Sequence, residues 1–177
     1  AYSHAAAQKD RSKIEIVAPK NYRPPRLNAS ADLEATLKDA VGAALDPANG
    51  KNLKPEEIAA TLIDLRDPND LKWASIAGER PIYPASVIKL FYLNALERQL
   101  EDGKVTMTPE LTRGLHDMIV VSSNEATQYI LDVLTDTASG GELPAAEFDK
   151  WQYKRNRVNR FYAAMGFTNI NINQKTF

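Results

Sequence analysis

Cysteine is absent from these 177 residues, which excludes disulfides, thiolate zinc sites and a cysteine nucleophile. Histidine is almost as scarce. His4 lies near one end and His116 stands alone, too few parts for a Ser-His-Asp triad or a histidine-based metal site. No apolar run approaches the roughly 18 residues that a membrane span needs. The opening residues, AYSHAAAQKD, lack the basic start and apolar core of a signal peptide. A formal net charge of −1 also lacks the basic excess of a dedicated nucleic-acid binder. What is present is ordinary globular composition, 44% hydrophobic and 25% charged, on a chain long enough for one domain with a real core.

Residues 1–29 read as a tail or linker, with Pro24 and Pro25 adjacent in a polar stretch. Residues 30–177 read as the folded domain. Ser30 is placed to cap a helix whose Leu33, Leu37, Val41 and Ala44 share one face. IAATLIDL and LKWASIA then flank RDPND, which has the turn chemistry of a β-hairpin. A helix is predicted from about Ser86 to Glu101, and another from Pro109 behind a Thr108 cap, with Leu111, Leu115 and Met118 on one face. Ser122 and Glu125 have capping-box spacing for a third, carrying Ala126, Tyr129, Ile130 and Val133. A long helix is predicted over roughly Pro144 to Met165, stopped by Gly166, and TNININQKTF alternates like a strand. The pattern is α/β. A two-stranded hairpin alone is marginal and needs further strands or a helix against it.

Within YPASVIKLFYLNAL, residues 83–96, a lysine interrupts an otherwise apolar helix. Lys89 lies three residues after Ser86, so both share a helix face. A helix start presents N–H groups and partial positive charge, which suit a nucleophile and its oxyanion. Apolar surroundings would lower the lysine's pKa towards that of a useful base. The same tetrad also reads as a capping serine and a snorkelling lysine. SSN, Ser122–Asn124, lies between two later helices. There Ser122 can pass a proton to a leaving group and Asn124 can hold a substrate amide, or both can simply serve as a helix cap.

Taken together, Ser-x-x-Lys heading an apolar helix and Ser-x-Asn between later helices resemble the serine β-lactamase and penicillin-binding superfamily. Element order from residue 30 onward is most similar to class A β-lactamases and their related serine hydrolases. The resemblance implies a β-lactamase/transpeptidase-like fold: an N-terminal helix and a hairpin of the sheet, then a mostly helical domain. It implies Ser86 as acylated nucleophile, Lys89 as its base or proton relay, Ser122 as proton relay to the departing nitrogen, and Asn124 as a contact of the substrate side chain and of Lys89. It implies a serine hydrolase working through an acyl-enzyme, with β-lactam hydrolysis foremost. A D-Ala-D-Ala peptidase on peptidoglycan and a non-catalytic wall-peptide or protein-binding domain are the alternatives. No cofactor or metal is implied, and the setting is extracytoplasmic and bacterial.

Three departures qualify that likeness. Ser86 and Ser122 are separated by 36 positions, a shorter interval than in class A enzymes, so a part of the helical domain bordering the cleft is reduced. A Lys-Thr-Gly strand is missing: QKTF at 174–177 has Phe177 where a glycine would let substrate approach. No glutamate stands where the family positions its deacylating water, since Glu142 and Glu147 come too early. The expectation is an N-terminal portion whose sheet is completed by a C-terminal fragment of the same protein.

Other features read more simply. KWQYKRNRVNR, residues 150–160, has five basic and no acidic residues. It is expected to be the solvated face of a helix with Val158, Phe161, Tyr162 and Met165 inward, and Trp151 and Tyr153 to be packing residues. Asp64, Asp67 and Asp70 lack the glycine and distal glutamate of a calcium loop. His116 reads as a surface histidine.

Overall fold

Ser30 accepts a hydrogen bond from Leu33 N–H and so opens α1, Ala31–Leu45, because its hydroxyl satisfies a donor the helix start leaves over. The computed structural model describes residues 15–172 and divides into two units. One comprises residues 23–83; the other comprises residues 84–172 together with 15–22.

The first unit is a sheet with one helix against it. β2, Ala60–Asp64, and β3, Lys72–Ile76, pair antiparallel with Ala60 opposite Ile76 and Asp64 opposite Lys72. Asp67 supports the turn by accepting from Asn69 N–H, as a short polar side chain in a turn commonly does. A third strand, β1, Asn28–Ala29, pairs parallel to β3 and gives the order β1-β3-β2. Two residues cannot show alternation, so this strand lies inside what reads as tail. α1 rests on β3 and β2, supplying the helix a hairpin needs.

The second unit is helical. A 3₁₀ turn, Ala85–Val87, runs into α2, Ile88–Glu101. α3 spans Pro109–Ile119, capped by Thr108, and α4 spans Asn124–Thr135. α5, Ala145–Arg155, and α6, Arg157–Ala164, replace the single long helix expected from Pro144 to Met165. The break is at Asn156, and only α6 turns an apolar stripe inward. Its Val158, Phe161 and Tyr162 are buried against Tyr92, Leu96, Ile130 and Leu134. Gly166, at φ 96°, ends the run in a conformation other residues resist.

Four further expectations change. The α4 cap is Ser123, one residue later than the Ser122 box. Among the described residues no strand follows β3, so 168–172 do not alternate as a strand; residues 173–177, which include QKTF, lie outside them. The basic run is not one solvated face. Arg155 and Arg157 are 5% and 3% exposed, because Arg155 pairs with Asp132 and Arg157 with Glu15; buried guanidinium groups require such partners. Finally, part of the tail packs: Ile16 joins the helical core and Glu15 also pairs with Arg160.

Trp151 is half-buried, stacked on Phe148, while Tyr153 is exposed beneath Arg160. His116 is exposed beside Asp117. No helix among the described residues is long and apolar enough to cross a membrane.

Candidate active site

Ser86 does not cap its helix. Neither the 3₁₀ turn nor α2 has a side-chain cap, so the hydroxyl is left for other contacts. The residue before it, Ala85, has φ 47°, a left-handed conformation that costs a non-glycine residue roughly 1–2 kcal/mol and concentrates at functional sites. Ser86 itself is exposed, one helical turn before a lysine that is not.

Lys89 is 3% exposed. Ile88 and Tyr92 on the same helix are core residues, and the ammonium reaches out of that apolar surround to four acceptors. Lys89 Nζ lies 3.3 Å from Ser86 Oγ, 2.9 Å from Ser122 Oγ, 2.5 Å from the Ser122 carbonyl and 3.1 Å from Asn124 Oδ1. An ammonium has three protons, so four acceptors leave none of its charge unsolvated. Burial pulls the Lys89 pKa down from the usual lysine value, while the exposed Glu125 carboxylate acts the other way. The Glu125 carboxyl is in turn held below the ordinary carboxylate range by a hydrogen bond from its own backbone N–H and by the Ser123 hydroxyl.

The α3–α4 junction brings Ser122 to this point. Ser123 N–H donates to the Asp117 carbonyl, and the Ser123 hydroxyl accepts from Ala126 N–H. With the cap duty taken by Ser123, Ser122 adopts φ 59° and directs both its carbonyl and its hydroxyl at Lys89. The Ser122 hydroxyl also lies 3.1 Å from that of Ser86. Asn124, the first residue of α4, completes the ring of contacts.

All four residues singled out in the sequence therefore meet around one nitrogen. Chemically, the arrangement holds a hydroxyl nucleophile, an amine within proton-transfer reach and a second hydroxyl bridging the two. One contributor carried no sequence signal. A Cβ on Gly114 would fall 2.7 Å from Cδ1 of Tyr129, so only glycine lets α3 lie this close to α4 at the junction bearing Ser122. No group of described residues could hold a metal ion. A cavity of about 870 Å³ near Leu143, Phe148 and Trp151 is lined by none of the four.

A family model described as the beta-lactamase enzyme family matches residues 52–177. No curated protein and no solved structure matches the chain.

Proposed function

The chain belongs to the beta-lactamase enzyme family, and on that premise we propose that Ser86 is the nucleophile of an acyl-transfer reaction on a β-lactam amide. The observation that carries the reading is the buried Lys89 amine, held 3.3 Å from one serine hydroxyl and 2.9 Å from the other.

In the neutral form that burial favours, Lys89 takes the proton from Ser86 Oγ as that oxygen attacks the carbonyl carbon. The C–N bond breaks, the nitrogen leaves, and the acyl group is held as an ester on Ser86. The Lys89 ammonium passes its proton through the Ser122 hydroxyl to the leaving nitrogen, so Lys89 ends neutral. Water then cleaves the ester, releasing the acid and restoring the Ser86 hydroxyl. Asn124, already bonded to Lys89, is positioned to hold the substrate amide. No cofactor enters any step. The family's usual setting supports an extracytoplasmic bacterial location.

The test is a denaturing mass spectrum after incubation with a penicillin. The expected result is an added penicilloyl mass on the peptide containing Ser86, abolished in Ser86→Ala. An unmodified wild-type protein, with the drug also left intact, would overturn the reading.

A further inference from the structure

Arg155 is the one buried side chain of α5, yet Phe148, Trp151 and Arg155 all line the cavity of about 870 Å³. Spaced three and four residues apart, they share a helix face. The loop before α5 supplies the rest of the wall, including the aliphatic side chain of Leu143. Gly140 and Gly141 in that loop carry no side chain, and a Cβ on either would meet open space. The volume lies within the range of roughly 300–1,000 Å³ that takes a small organic molecule.

Its chemistry narrows what that molecule can be. The Phe148 and Trp151 rings are within 15° of parallel with centroids 6.1 Å apart, so a further flat ring can extend the stack. The Trp151 indole N–H is already satisfied, donating to the Ala138 carbonyl at 3.2 Å. Arg155 does not invite an anion. Its guanidinium donates to Asp132, Thr137 and Gln128, and the Asp132 carboxylate answers its charge. Glu142 lines the same cavity with a further negative charge. A cation is disfavoured too, because the guanidinium lies 5.3 Å from the centroid of the Trp151 ring and already takes up its attraction for positive charge. We infer that this cavity is a second binding site, which takes an uncharged planar aromatic molecule stacked on Phe148 and Trp151. None of the four residues around Lys89 lines it, so the inference stands apart from acyl transfer.

The experiment uses the full chain carrying Trp73→Phe, which leaves Trp151 as its only tryptophan. Two dyes share one nucleus: N-phenyl-1-naphthylamine is uncharged, and 8-anilinonaphthalene-1-sulfonate adds a sulfonate. The uncharged dye is expected to bind saturably at one equivalent and to quench Trp151 emission by energy transfer. The sulfonate should bind roughly tenfold more weakly, because its charge finds no free partner in the cavity. Phe148→Ala should weaken the uncharged dye by roughly 3- to 10-fold, through loss of the stack. Thermal melts establish that the variant is folded; if it is not, Leu143→Gln is read for the same affinity. No saturable binding of the uncharged dye, or an affinity that no folded variant lowers, would overturn the site. Equal or tighter binding of the sulfonate would overturn it as a site for uncharged ligands. Neither result bears on acylation of Ser86, which the penicillin experiment tests separately.

Discussion

The two units of this chain invest differently in burial. The helical unit brings Tyr92, Leu96, Met118, Ile130 and Leu134 to essentially zero exposure. Among its described residues, the sheet unit brings only Leu37 and Ala74 into the buried class, each still 7% exposed. Its ion pairs are correspondingly exposed, Asp70 with Lys72 among them. Where Asp64 accepts from Arg66, hydrogen bonds hold the carboxyl down at about 2, outweighing the opposing effect of partial desolvation. Lys89 is perturbed for the opposite reason, by loss of water. The contrast teaches that a dry core can draw a lysine's pKa down by desolvation, and in this protein the helical unit supplies that core around Lys89.

The largest effect that would break the comparison comes from removing the proposed base. Lys89→Met is expected to slow acylation of Ser86 by about 10³-fold, within the usual range for general acid–base groups. Wild-type acylation should rise with pH through a transition below the ordinary lysine value of 10.5, since only the neutral amine accepts a proton. Stopped-flow rates across pH should show this rise in the wild type and a flat profile in the variant. A wild-type profile that fell across the same range would contradict the assignment.

Next come the cores themselves. Leu96→Ala, at a site with no exposure, should cost about 4 kcal/mol, and Leu37→Ala about 2 kcal/mol. Urea unfolding followed by circular dichroism compares them; equal losses would erase the distinction drawn between the units. The smallest effect sharpens it as a control. Ser30 and Ser123 cap α1 and α4 through the same bond to the third residue on. Ser30→Ala and Ser123→Ala should each cost about 1 kcal/mol by the same measurement, because a cap is local and indifferent to core size.

Legibility in the sequence follows the same physics. α1, α3 and the hairpin could be read because capping residues, apolar spacing and turn residues act within a few positions. The Ser-x-x-Lys and Ser-x-Asn motifs named four side chains, and each of them touches Lys89 or is Lys89. What escaped depends on distant partners. Arg157 looks solvated until Glu15, far back in the chain, is found beside it. Gly114 looks like a blemish in a helix until the ring of Tyr129 occupies the missing Cβ position. The break at Asn156 escaped because α5 exposes most of its side chains, so no apolar period marked where one helix stopped. The α4 cap slipped by one because two serines are adjacent and local rules fit either.

That adjacency has a practical consequence. With Ser123 anchoring the helix, the side chain at position 122 is released from capping. A cysteine or an unnatural side chain installed there would sample the surroundings of Lys89 while the scaffold kept its own fastening. A spectroscopic reporter placed at this position would accordingly register events at Lys89 and remain largely silent to fraying of α4.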